Sequence, residues 1–162
     1  MRNLILILVL YCVITNIYAS DEGEKAPTFN AKLFSGQEVD NNTYRNQVLL
    51  INFWASWCEP CRNELPAIAE YEKRHFQDGF RVLSISMDDK SDLSKAQNII
   101  KQFGFDNASI HNSDFQSFGR VWRIPLSYLI DRNGMIVKSE WYTNDGFTVN
   151  LLEKNVTPLL KR

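Results

Sequence analysis

Residues 48–53 read Val-Leu-Leu-Ile-Asn-Phe, a nearly unbroken apolar run. A strand apolar on both faces must lie inside a sheet covered on both sides, the usual condition of a parallel α/β sheet. Shortly after it comes Trp57-Cys58-Glu59-Pro60-Cys61. Residues 59–76 then place Leu65, Ile68, Ala69, Tyr71 and Phe76 in a mostly apolar stripe between charges, which predicts a helix. A buried strand running into a helix, with a Cys-X-X-Cys pair at the junction, constrains this chain more than any other feature. Unpaired N–H groups and the positive end of the dipole gather at a helix N-terminus, and both favour a thiolate. Cys58, at the tip, is therefore expected to be an exposed nucleophile. Cys61, one turn further in, is expected to be more buried and still within reach of Cys58. Pro60 suits the first turn, where no N–H is needed. Pro66 lies inside the helix and is expected to kink it.

The remaining cysteine, Cys12, falls in a different kind of segment. Met1-Arg2-Asn3 carries one basic side chain, Leu4 to Ile14 is apolar, and Thr15 to Ser20 ends in small residues. This pattern fits a secretory signal cut after Ala19, with an uncleaved membrane anchor as the alternative. Tyr11 stands where a lipoprotein signal has a small residue, which disfavours lipidation of Cys12. The expected division is thus a signal over 1–19 and one domain over 20–162. In that domain Cys58 and Cys61 are the only cysteines, and export would place them where disulfides persist.

Other uses of the pair fit less well. A disulfide closing so short a loop removes little entropy from the unfolded chain, so it makes a poor staple. A zinc site would lack ligands, since only His75 and His111 are available, and both read as surface or structural residues. Haem attachment needs a His after the second Cys, where Arg62 stands. No metal or cofactor is expected. An inert structural disulfide stays open as an alternative.

Thr28–Leu33 and Gln37–Val39 flank Ser35-Gly36 and predict a hairpin, preceded by a flexible polar lead-in over 20–27. Phe80–Met87 predicts a strand, Ser91–Phe103 a helix, and Asn107–His111 a short strand. Asp114–Val121 is read as a short helix capped by Asp114. Leu126–Ile130 and Met135–Trp141 flank Asp131-Arg132-Asn133-Gly134, a hairpin in which Asn-Gly supplies positive φ. Thr148–Leu160 closes the chain as a helix interrupted near Pro158. The order predicts an α/β fold, with a mixed sheet flanked by helices. A formal net charge of −1 offers no basic surface for nucleic acid. Trp122 and Trp141 read as core residues, with Trp122 a second choice for a groove beside Pro125.

Three segments carry a resemblance: VLLINFWASWCEPCRNELP (48–66), IPLSYLIDRNG (124–134) and KAPTFNAKLFSGQEVD (25–40). Together they resemble the exported thioredoxin-like reductases of the TlpA/ResA type, related to DsbE/CcmG, over about residues 25–160. The resemblance implies a thioredoxin fold with an added N-terminal β-hairpin. It implies Cys58 as nucleophile and Cys61 as resolving cysteine, with Glu64 tuning them. Pro125 corresponds to a cis-proline packed against the disulfide, Ile124 to the residue whose backbone pairs with substrate, and Trp57 to an aromatic shield. Asn52 stands where thioredoxin has a buried Asp, and Glu64 is the natural substitute for that proton acceptor. Leu126, Ser127 and Arg123 depart from the pattern of the apocytochrome reductases.

Glu59 sets a negative charge beside Cys58 and opposes thiolate formation. A less stabilised dithiol is a better reductant, so the expected activity is reduction of disulfides in exported proteins, with apocytochrome c among the candidates. A membrane thiol donor in the cell envelope or periplasm would then re-reduce the pair. The alternatives are a Dsb-type oxidant or isomerase, and a non-enzymatic folding or binding module. A peroxiredoxin is disfavoured because Ala55, not Thr, lies three positions before Cys58.

Overall fold

The computed structural model describes residues 21–161; the signal segment expected over 1–19 lies outside the described residues. Strand β3 (Val48–Trp54) is buried at every position, as its composition requires. It lies parallel to β4 (Phe80–Ser86) and antiparallel to β6 (Leu126–Ile130). Strand β5 (Asp106–Asp114) continues the sheet parallel to β4. On its far side stands the hairpin β1 (Asn30–Leu33) and β2 (Glu38–Asp40), and beyond β6 stands β7 (Ile136–Trp141). The seven strands take the order β2-β1-β5-β4-β3-β6-β7. This is the mixed sheet the element order predicts, with the extra hairpin added at one edge.

Alternation along β3 divides the core. Val48, Leu50 and Trp54 join one cluster with Cys61, Leu65, Ile68 and Tyr71 of α1 (Glu59–His75), Ala96 and Ile100 of α2 (Leu93–Ile100), Leu152 of α3 (Val149–Asn155) and Leu159 of α4 (Thr157–Leu160). Leu49, Ile51 and Phe53 join the second cluster. There Phe29, Phe115, Phe118 and Tyr128 interlock, with Phe29 stacked on Phe115 at 5.2 Å and Phe118 edge-on to Tyr128 at 5.1 Å.

Four local expectations are corrected. Asp114–Val121 is not an α-helix: β5 runs on to Asp114, and only a 3₁₀ turn follows at Gln116–Phe118. Asp114 does accept from the Gln116 N–H at 3.1 Å, but pairing with β1 competes for this segment and holds it extended. In the 131–134 turn only Gly134 has positive φ, at 78°. The Gly134 N–H closes the turn on the Asp131 carbonyl at 2.9 Å, and in place of a positive φ at Asn133 an Asx turn reinforces it, Asp131 Oδ1 accepting from the N–H groups of Asn133 and Met135, each at 2.9 Å. The polar lead-in is not loose. Gly23 N–H donates to Ile136, Ile136 N–H to Glu24, and Ala26 N–H to Gly134, so residues 23–26 cover the outer edge of β7. Trp122 is not core: it is 64% exposed. The closing helix does break, at Val156, between α3 and α4.

Candidate active site

The chain leaves β3 at Trp54 and reaches α1 at Glu59 through a loop whose anchor the sequence reading missed. Asp88, fully buried just beyond β4, accepts from the Ser56 N–H at 2.8 Å and from the Ser86 hydroxyl at 2.8 Å. The Ser56 hydroxyl donates to its other oxygen. A carboxylate bonded this way ties the loop before Cys58 to the neighbouring parallel strand. Its one signal in the sequence is an acidic residue directly after an apolar strand, a position that reads equally well as an exposed turn.

Cys58 is the N-cap of α1, and its Sγ accepts from the Cys61 N–H at 3.3 Å. Cys58 and Cys61 are joined by a disulfide, with Cα atoms 5.3 Å apart. Cys61 is fully buried, and Cys58, expected to be exposed, is only 5% exposed. Bonded to Cys61 and seated as a cap, its sulfur is turned into the helix start rather than out into water. Trp57, expected as a shield, stands 65% exposed beside it. Glu59 and Pro60 fill the first turn and are exposed.

The Ile124–Pro125 peptide bond is cis. Because Leu126 pairs with Phe53, residues 123–125 continue past the end of β3 where the chain departs toward Cys58. Ile124 packs against the core cluster that includes both cysteines. The cysteines, Trp57, Ile124 and Pro125 are thus gathered at one end of the sheet.

Glu64 is buried, at 3% exposure. Its Oε1 accepts from Asn52 Nδ2 at 2.9 Å, and its Oε2 from the Phe147 N–H at 3.3 Å. Asn52 Nδ2 also donates to Ser127 Oγ at 3.1 Å. Burial pushes the Glu64 carboxyl up to about 7, while the two hydrogen bonds pull the other way. It can therefore exchange a proton near neutral pH. His75 bridges Asp78 and Glu153 at 2.9 and 3.1 Å, a structural role at the far end of α1.

Residues 23–139 match the AhpC/TSA family model. The chain is similar to the thioredoxin-like protein YneN of Bacillus subtilis, at 29% identity over 71% of this chain and 68% of that protein. It is also similar to the thiol-disulfide oxidoreductase ResA of Geobacillus thermodenitrificans, at 28% identity over 85% of this chain and 84% of that one. Among solved structures it resembles a thiol:disulfide interchange protein DsbE from Chlorobium tepidum, with a TM-score of 0.71 and 29% identity, covering 86% of this chain and 98% of that one.

Proposed function

Given that the chain belongs to the AhpC/TSA family and is a thiol–disulfide oxidoreductase, we propose that it works as a reductant, with Cys58 as nucleophile and Cys61 as resolving cysteine. The observation that carries this direction is the environment of Cys58. Its sulfur is met by one amide donor at 3.3 Å, and the neighbouring residue is the exposed, acidic Glu59. Strong oxidants of this chemistry owe their potential to a stabilised reduced form. Little here stabilises a Cys58 thiolate beyond the helix start, so the dithiol gives up its electrons readily.

In the forward reaction the Cys58 thiolate attacks one sulfur of a substrate disulfide. A mixed disulfide forms and a substrate thiolate leaves, taking up a proton. The Cys61 thiol loses its proton to the Glu64 carboxylate and attacks Cys58 Sγ. This restores the Cys58–Cys61 disulfide and releases the second substrate thiolate, to which the proton passes. The protein dithiol loses two electrons and the substrate disulfide gains them. Re-reduction reverses the steps: a donor thiolate attacks Cys58, and Glu64 supplies the proton that the departing Cys61 sulfur takes up. Asn52 positions the Glu64 carboxyl. Ile124 and Pro125 offer backbone to the substrate strand, and Trp57 offers it a flat apolar face.

Residues 1–19 direct export, residues 20–162 form the working domain, and the substrates are disulfide-containing proteins of the cell envelope. Apocytochrome c is a candidate among them, against which the departures at Arg123, Leu126 and Ser127 count, and a membrane thiol donor closes the cycle. Equilibration of the protein with glutathione or dithiothreitol tests the direction. A potential below about −220 mV is expected, and one near −120 mV would overturn the reductant reading.

A further inference from the structure

The loop before the cis-proline carries a feature that disulfide chemistry does not need. Gly119 to Pro125 reads Gly-Arg-Val-Trp-Arg-Ile-Pro, with two arginines around one tryptophan. The Arg123 guanidinium lies 4.8 Å from the centre of the Trp122 ring and 4.8 Å from that of the Tyr142 ring. Both rings are exposed, Trp122 at 64% and Tyr142 at 40%. Tyr142 reaches this position from the end of β7. The pairing of β6 with β7 shifts between Ser127 and Leu129, and Glu140 takes a positive φ of 42°, the geometry of a bulge that re-aims a strand end. Trp141 turns inward against Phe147, at 4.6 Å, and Tyr142 is left at the rim.

A guanidinium held by ring faces keeps its planar N–H edge available for a carboxylate. Among the described residues no ion pair involves Arg123 or Arg120, and Arg123 Nε is buried with no acceptor. The charge is thus fixed in place by π faces rather than neutralised. It stands one residue before Ile124, at the end of the sheet that holds Cys58. Two ring contacts restrict the arginine before a partner arrives, which lowers the entropic cost of binding it.

We propose that Arg123, clamped between Trp122 and Tyr142, selects polypeptides carrying an acidic side chain next to the disulfide to be exchanged. This rests on the reductant reading above and names the class of substrate at the same site. The guanidinium takes the carboxylate end-on through its two Nη groups, since Nε is buried, and the exposed rings cover the apolar part of the same segment.

The test uses reduced protein and three peptides, each with one disulfide, that differ only in having Glu, Gln or Lys beside a cysteine. Second-order rate constants for peptide reduction are measured at low and at high salt. The wild-type protein is expected to prefer the Glu peptide over the Gln peptide by about three- to ten-fold, with the Lys peptide slowest. The preference shrinks as salt rises. In Arg123→Gln the Glu-to-Gln ratio falls to about one, and Arg123→Lys, which keeps the charge without the planar fork, holds part of it. Tyr142→Leu, which removes one ring of the clamp, lowers the ratio while the charge remains. Equal rates with all three peptides in the wild type, or an unchanged ratio in Arg123→Gln, would overturn this inference alone. Failure to reduce any of the peptides would overturn the reductant reading together with it.

Discussion

Helix α1 carries two buried glutamates, Glu64 and Glu72, and burial pushes both carboxyls up to about 7. By titration alone they are twins, but their neighbours differ. Glu64 faces the side-chain amide of Asn52 and the Phe147 N–H, one turn beyond Cys61. Glu72 accepts from the Val82 N–H at 2.8 Å, where β4 has not yet begun to pair with β5 at Leu83. Glu72 therefore satisfies an orphan backbone donor in the sheet, a structural task. Asp106, bonded to Tyr44 nearby, adds to its upward shift. A raised carboxyl pKa marks burial; what the carboxyl can do is decided by what lies within its reach.

The largest effect expected from this contrast is on rate. Glu64→Gln should slow reduction of the oxidised protein by dithiothreitol by about a hundredfold at neutral pH, because the departing Cys61 sulfur loses its proton source. The ratio of wild-type to variant rate should fall as pH rises through about 7, where the carboxyl gives up its proton. A ratio flat across that range would show Glu64 to be as structural as Glu72.

Glu72 should answer on stability instead. Glu72→Ala strands the Val82 N–H and should cost about 1–3 kcal/mol in chemical denaturation, with dithiothreitol rates unchanged. Glu72→Gln keeps an acceptor and should cost less. Both carboxyls also link stability to pH. Each has a folded-state pKa raised from 4.5 to about 7, so the folded protein binds more protons than the unfolded chain in that window. Their stabilisation is full below about 4.5 and is lost as pH rises through about 7, each on the order of 1–3 kcal/mol. Glu64→Gln and Glu72→Gln should each flatten part of this decline, as read from denaturation midpoints at pH 5 and pH 8. A decline that neither substitution alters would place the titrating groups elsewhere.

The smallest effect separates the two environments most finely. The Asn52 hydrogen bond favours the charged form of Glu64. Asn52→Ala should therefore move the Glu64 midpoint above about 7 and leave that of Glu72 in place, as followed by carboxyl-carbon NMR.

Much of the molecule can be read from local pattern. The apolar run at 48–53, the helical stripe after Glu59 and the strand before the 131–134 turn predict β3, α1 and β6 with ends displaced by at most one residue. Errors arise where tertiary pairing overrules a local signal. Asp114 has the chemistry of a helix cap, yet β1 recruits its segment as strand. Asp88 looks like an exposed turn residue until the β3–α1 loop is seen folded onto it. Trp122 is apolar and large, and still it stands in solvent beside Arg123.

Where the cysteines stand relative to a strand and a helix is legible from the sequence, because that depends on residues adjacent along the chain. From this follow the thioredoxin-like core and the thiol–disulfide chemistry. The sequence did not determine which of the four glutamates of α1 would be buried. Glu59 and Glu70 are exposed while Glu64 and Glu72 are not. That was decided by Asn52 and Phe147 around one and Val82 around the other, groups brought in from three other parts of the chain. Desolvation is a property of everything that surrounds a carboxyl, and a carboxyl's surroundings exist only once the chain has folded.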